Sequence, residues 1–282
     1  MGLPAKIDFN ATPVDGQKLV IAVPRDVSYE QLDLVLDYKI GAGASVRALT
    51  VADWEAAISD IRLVIGGRSF GAIDIVNAKA GKIAVRNRYY NEAYQTPGVL
   101  PLYFSLPWMD ELGASGVNGR DHTILGLLGT DTAKLEVTFV AGITITNFEL
   151  WGMTQPAQRP GQLIRVIEEE TSITKAGDYS DFQFDRSNYA FIALHFDTTQ
   201  FGKVEFRLNR RLAYETIKDV RSSMANGNGK TEQAGYTHLD FDPRNELGVQ
   251  LPMNVSTYNL KVNSAAAPGT VVILKEMFET IT

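Results

Sequence analysis

Cysteine does not occur among the 282 residues. Its absence excludes disulfides, thiolate zinc sites and cysteine nucleophiles, and leaves the compartment open. Histidine is nearly as scarce, with three residues, which argues against a histidine-rich metal site. The formal net charge of −6 has no long basic run beneath it, so broad nucleic-acid binding is disfavoured. No apolar stretch approaches the length needed to cross a bilayer. The opening residues, MGLPAKIDFNATPVDG, lack the basic region and apolar core of a signal peptide. Lys6 also stands where myristoylation wants Ser or Thr. The expectation is a chain made and folded in a cytoplasm. Long helical patterns are missing too, which excludes an α/β enzyme with helical crossovers between its strands.

The sequence does hold a hydrophobic fraction of 45%, enough for a sizeable core in one large domain or two ordinary ones. Short alternating runs separated by turn signals dominate it. YEQLDLVLDY (29–38) puts Leu32, Leu34 and Leu36 on one face, as in a sheet with one side toward solvent. Leu135, Val137 and Phe139 give the clearest alternation, in a pair of strands joined through Ala141-Gly142. TVADWEAAISD (50–60) suits one or two helical turns capped by Thr50 or Asp53. SFGAIDIVNAKAG fits helix and strand equally, TILGLLG suggests a helical turn, and LAYETIKDVRSSM (212–224) suggests a partial helix through Leu212, Ile217 and Val220. GVLPLYFSLPWMDELGASG, broken by Pro101 and Pro107, reads as an edge strand and a packed loop. GMTQPAQRPGQ (152–162) reads as a connector, and MANGNGKTEQAGY as a flexible loop.

Two stretches about half the chain apart look like copies of one element. DIRLVIGGRSFGAI (60–73) and GKVEFRLNRRLAYETI (202–217) each run from alternating apolar residues through a polar or glycine pair to an arginine, an aromatic and an isoleucine. The closing pairs KLEVTFVAGITITNFEL and NLKVNSAAAPGTVVILKEM also correspond. Four elements in the same order on both sides of the connector point to internal duplication. Two halves of about eight short strands with few helices predict paired β-sandwiches, an all-β protein.

Candidate chemistry is sparse. His195, in FIALHFD, alternates with Phe196 and so reads as a surface or subunit-contact residue. His238, Asp240 and Asp242 share a strand face by period two, an arrangement open to a hard cation but equally to solvent. His122 lies in a loop without a visible partner. GTDTAKLE and NGNGKTE lack the spacing of a phosphate loop, and GGRSFG lacks the helix of a dinucleotide site. The acids at 168–170 read as a solvated surface. Arg62, Arg68, Arg207, Arg210 and Arg211 surround the repeated element and suit either subunit contacts or ordinary outward positions. Trp54, Trp108 and Trp151 occur singly among apolar neighbours, as packing residues do. No catalytic, cofactor-binding or metal residue is assigned.

The duplicated plan resembles the double jelly-roll major capsid proteins of icosahedral internal-membrane bacteriophages, most of all the corticovirus-type marine phage coat protein. YEQLDLVLDY, DIRLVIGGRSFGAI, KLEVTF, GKVEFRLNRRLAYETI and YNLKVNSAAAPGTVVILKEMF carry the likeness, which spans most of 18–278. The resemblance implies two eight-stranded antiparallel β-sandwiches side by side, with short helices in loops. Residues 1–152 would form the N-terminal roll with an arm in the first seventeen residues, and 153–282 the C-terminal roll. It implies a non-enzymatic major capsid protein, three chains to a pseudo-hexagonal capsomer, tiling an icosahedral shell around an internal membrane. Its partners would be its own copies, neighbouring capsomers, penton proteins and minor membrane-associated virion proteins, without direct nucleic-acid binding. Its place would be the virion, assembled in the host cytoplasm. The alternative is a two-jelly-roll carbohydrate-active enzyme or glycan-binding protein.

Overall fold

The computed structural model describes residues 3–90, 96–105, 123–242 and 250–280. The chain divides into two compact units, the first drawn from residues up to 88 and from 92–167, the second from 89–91 and 168–280.

In the first unit the strands are β1 (Leu3–Ile7), β2 (Lys18–Ala22), β3 (Val27–Ile40), the short β4 (Val46–Arg47), β5 (Ile58–Gly67), β6 (Gly71–Ala78), β7 (Val99–Tyr103), β8 (Thr132–Phe139) and β9 (Ile143–Pro156). One sheet has the order β1-β9-β3, with β7 and β4 successive along the remaining edge of β3. The other has the order β2-β8-β5-β6. Next comes β10 (Gln162–Ile173), whose first residues lie parallel to β6 at Val166 and Ile167.

The rest of β10 opens the second unit. It is followed by β11 (Gly177–Tyr179), β12 (Tyr189–Phe196), β13 (Phe201–Leu208), β14 (Arg211–Ile217), β15 (Thr237–Asp240), β16 (Leu251–Pro252), β17 (Tyr258–Ser264) and β18 (Gly269–Thr280). One sheet runs β10-β18-β12, with β15 and β16 successive along the outer edge of β12. The other runs β11-β17-β13-β14.

Set β4 aside and count β15 with β16 as one position. Among the described residues both units then have eight strands, with one sheet in the order 1-8-3-6 and the other in the order 2-7-4-5. This is one topology used twice, the double jelly roll, and the helices among the described residues are short. The two resembling stretches are its fourth and fifth strands in each unit, the hairpins β5–β6 and β13–β14.

Period-two patterning explains the strands read from sequence. Leu32, Leu34 and Leu36 of β3 and Leu135 and Val137 of β8 are fully buried, and Phe139 nearly so. The turn between β8 and β9 reverses at Gly142, whose φ of 83° favours a residue without Cβ. The helix α1 (Val51–Ala57) starts at a reciprocal cap. Thr50 Oγ1 accepts from Asp53 N at 3.1 Å, and Asp53 Oδ2 accepts from Thr50 N at 2.7 Å. Both candidate caps therefore act together. Pro101 sits in β7, which among the described residues pairs only with β3, as suits an edge strand.

Several expectations are corrected. The ambiguous 71–78 stretch is strand β6, because β5 pairs with it almost throughout, and the helix α2 (Ala80–Tyr89) comes afterwards. TILGLLG is not helical: Leu125 makes an isolated bridge to Tyr29. In LAYETIKDVRSSM the first part is β14, held by β13, and α3 (Lys218–Gly227) begins only at Lys218. Leu212, Ile217 and Val220, whose spacing suggested the partial helix, are exposed. The connector is shorter than its composition suggests, since β9 continues through Pro156 and β10 starts at Gln162. Residues 3–7 of the expected arm form β1 on the edge of β9.

Candidate functional site

The main concentration of buried ionisable groups in the second unit begins on β12. This strand lies between β18 and β15, and its burial is nearly continuous, so alternation does not send every second residue to water. His195 and Phe196 are both buried. The surface or contact role expected for His195 is thereby overturned: Phe196 fills one face while Tyr89 and Tyr90 cover the imidazole on the other.

The sheet register assembles its partners. His238 on β15 is directly opposite His195. Leu274 on β18 is opposite on the other side, and Glu276, two residues along, shares its face. His195 Nδ1 lies 2.6 Å from His238 Nδ1, and His195 Nε2 lies 2.7 Å from Glu276 Oε1. The backbone N–H of Gln233 donates to His238 Nε2 at 3.2 Å. The Tyr89 ring stacks on His238 with centroids 4.3 Å apart. Burial, then the neighbouring His195 and Arg221, pushes the His238 imidazole well below its usual range, so it is neutral at pH 7.

Asp240 and Asp242 do not converge with His238 on a cation. Asp240 is ion-paired with the buried Lys230, accepts from Tyr89 Oη at 3.1 Å and takes the Asp242 N–H at 3.0 Å. Lys230 also donates to the Asp242 carbonyl at 3.1 Å and stands 5.1 Å from the centre of the Tyr90 ring. Burial, then the Asp240 charge, raises the Tyr89 phenol far above its usual value, and burial pushes Tyr214 up to about 12. A void of about 10 Å³ lies among Tyr89, Tyr214, Arg221, Glu232, His238 and Asp240. That holds one water at most. Each imidazole occupies the other's Nδ1, and their remaining nitrogens are bonded to Glu276 and Gln233. Neither therefore offers a base to a substrate. Among the described residues no group of three or more His, Asp or Glu is arranged to hold a metal ion.

The other candidates are dispersed. Arg62 forks onto Asp74 at 2.7 and 3.3 Å, and Arg207 donates to Glu205 at 3.3 Å, each within its own hairpin region. Arg68 projects into solvent 3.9 Å from Asp131, while Arg210 and Arg211 are exposed at the β13–β14 turn. Of the acids at 168–170, Glu169 pairs with Lys275, and Glu170 is exposed. The lysine of NGNGKTE is the buried Lys230, unavailable to a phosphate, and GGRSFG is the β5–β6 turn. Trp54 is core, and Trp151 Nε1 donates to Glu149 at 2.8 Å. His122 and Trp108 lie outside the described residues. Sequence reasoning missed Glu276, Lys230 and Tyr89, because only strand register and a distant helix end bring them to the histidines.

Comparison with known proteins places this geometry. Residues 163–281 match the family described as viral coat protein P2 C-terminal domain. No curated protein matches the chain in sequence. Among solved structures, the major capsid protein P2 from bacteriophage PM2 is similar, with a TM-score of 0.77 at 16% identity, covering 99% of this chain and 98% of that one. The STIV MCP is similar at a TM-score of 0.68 and 11% identity, covering 98% and 96%. The PBCV-1 virus capsid gives a TM-score of 0.61 at 11% identity, covering 98% and 92%. The chain is thus a double jelly roll like those of the PM2, STIV and PBCV-1 capsid proteins, and its second roll matches the coat protein P2 C-terminal domain.

Proposed function

We propose that this chain is the major capsid protein of an icosahedral virus. The observation that carries the reading is the repeat itself. One eight-strand topology occurs twice in one chain, and the likeness to the PM2 coat protein covers nearly the whole of both chains. The match of 163–281 to a viral coat-protein family supports it from the sequence side. The site chemistry agrees with a structural role, since the buried histidines and carboxylate are committed to one another.

In this reading three chains form a pseudo-hexagonal capsomer, and capsomers tile a closed shell around an internal membrane. Closed shells need repeated self-complementary contacts in place of a catalytic cleft. The partners are copies of the same chain, neighbouring capsomers, penton proteins and minor membrane-associated virion proteins, without direct nucleic-acid binding. Assembly takes place in the host cytoplasm, and the mature location is the virion.

The test is light-scattering mass of the purified protein, with negative-stain imaging of the same fraction. Three chains of 31.0 kDa give about 93 kDa, and hexagonal outlines are expected. A stable monomer with a glycan-binding face would refute the capsid reading in favour of a two-domain binding or hydrolytic protein.

A further inference from the structure

The protonation of the buried histidine pair follows from hydrogen-bond direction alone. A backbone N–H can only donate, so His238 Nε2, which accepts from Gln233 N, carries no proton. Neutral His238 then has its proton on Nδ1 and donates to His195 Nδ1. His195 in turn carries its proton on Nε2 and donates to Glu276. The chain runs in one sense, from the Gln233 amide through two neutral rings to a carboxylate. Every ring nitrogen is used.

On the two rings an added proton finds no free place. On His238 it must go to Nε2, directly against the Gln233 N–H. On His195 it must go to Nδ1, against the proton on His238 Nδ1. That forces His238 into its other tautomer, with a proton again facing Gln233. A proton passed from Glu276 Oε1 to His195 Nε2 displaces the ring protons the same way. Each route ends by breaking the same amide bond.

Gln233 belongs to the segment 231–236 between α3 and β15. Its other ties include Thr231 N, which donates to the Tyr89 carbonyl at 2.7 Å, and Glu232, which accepts from Ser222 Oγ on α3 at 2.7 Å. Tyr236 stacks on His238 with centroids 6.0 Å apart. We propose that the Gln233–His238–His195–Glu276 chain is a proton-operated latch, which holds 231–236 on the second roll while both imidazoles are neutral and releases it when the pair takes up a proton.

The surrounding groups set the balance. Glu276 Oε1 on β18 lies 2.7 Å from His195 Nε2, whereas Arg221 on α3 opposes charge on His238. Asp240 on β15 is neutralised by Lys230, Tyr89 at the end of α2 stays protonated beside the pair, and the Tyr90 ring stands roughly perpendicular to that of His195. A second proton on either ring is thus incompatible with the Gln233 bond. The folded state holds the His238 proton less tightly than the unfolded chain does. Latch stability is therefore full above the ordinary imidazole pKa of about 6.5 and declines as pH falls below it.

The experiment is hydrogen exchange of the full chain between pH 8 and pH 5, read at the Gln233 amide. One-proton linkage predicts a protection factor that falls about tenfold per pH unit below about 6.5. Amides of β12 and β18 should keep their protection over the same range. In H238Q, which cannot take up a proton there, the slope should vanish. Should that variant fail to fold, ¹⁵N imidazole shifts of the wild-type protein at pH 8 provide the second test. They are expected to show a proton on Nδ1 of His238 and on Nε2 of His195. Protection at Gln233 independent of pH, a uniform loss throughout the roll, an unchanged slope in H238Q, or the reversed tautomers would each overturn the latch.

Discussion

Replacing Arg210 by glycine is expected to stabilise the protein, although Arg210 is one of the arginines that the sequence offers as a contact residue. Leu208 pairs directly with Arg211, so Asn209 and Arg210 alone form the turn between β13 and β14. Both have positive φ, 48° and 67°, the combination for which hairpins favour Asn-Gly. Asn209 suits its place: Oδ1 accepts from Ser256 N at 3.0 Å, Ser256 Oγ at 2.8 Å and Thr257 N at 3.2 Å. Arg210 carries a Cβ into a region that costs roughly 1–2 kcal/mol. Glycine removes that cost but loosens the unfolded chain by roughly 0.4–1 kcal/mol. The Arg210 side chain is exposed, so little packing is lost. The net gain is roughly 0.5–1 kcal/mol, or a few degrees in Tm. Urea unfolding should show a higher midpoint with an unchanged slope. A lower or equal midpoint refutes the strain argument. A higher midpoint accompanied by loss of the assembled mass would identify Arg210 as a contact between copies.

Two further outcomes follow from the packing and charge of each roll. Phe206 is fully buried against Phe191, Phe241 and Tyr258, so Phe206→Ala should cost about 3–5 kcal/mol in urea unfolding. A cost below about 1 kcal/mol would mean that the site is not packed as described. In the first roll, Glu149 accepts from Lys6 Nζ and Trp151 Nε1, both at 2.8 Å, and these bonds hold its carboxyl below the usual range. Its contribution is present above the unfolded pKa, about 4.3, and is lost as pH falls from there through the depressed folded value. Lys6→Ala should raise the Glu149 pKa in a carboxyl NMR titration, and an unchanged value would refute the role of the Lys6 bond between β1 and β9.

Much of the architecture was legible because it is local. Alternation places Leu32, Leu34 and Leu36 on one face whatever the strand pairs with, and Thr50 and Asp53 cap a helix within a few residues of themselves. The repeated hairpin was legible for the same reason: both strands and their turn lie inside one short stretch. LAYETI was misread because its apolar spacing fits a helix, and only its pairing with β13, outside that window, makes it a strand. The reading of His195 failed on a related point. Alternation says which residues oppose one another, but it cannot say whether the second face of a sheet is covered.

The sequence by itself determined the all-β class, the duplication and the exclusion of thiol chemistry, since composition and period-two patterning need no knowledge of distant partners. Tertiary structure alone decided the sheet orders and the fate of the few ionisable groups. His195, His238 and Glu276 are scattered over more than eighty residues, and only the register of β12 against β15 and β18 brings their polar atoms within hydrogen-bonding distance. Burial then makes those bonds obligatory, because an unpaired polar group in that place would lose its water without recompense.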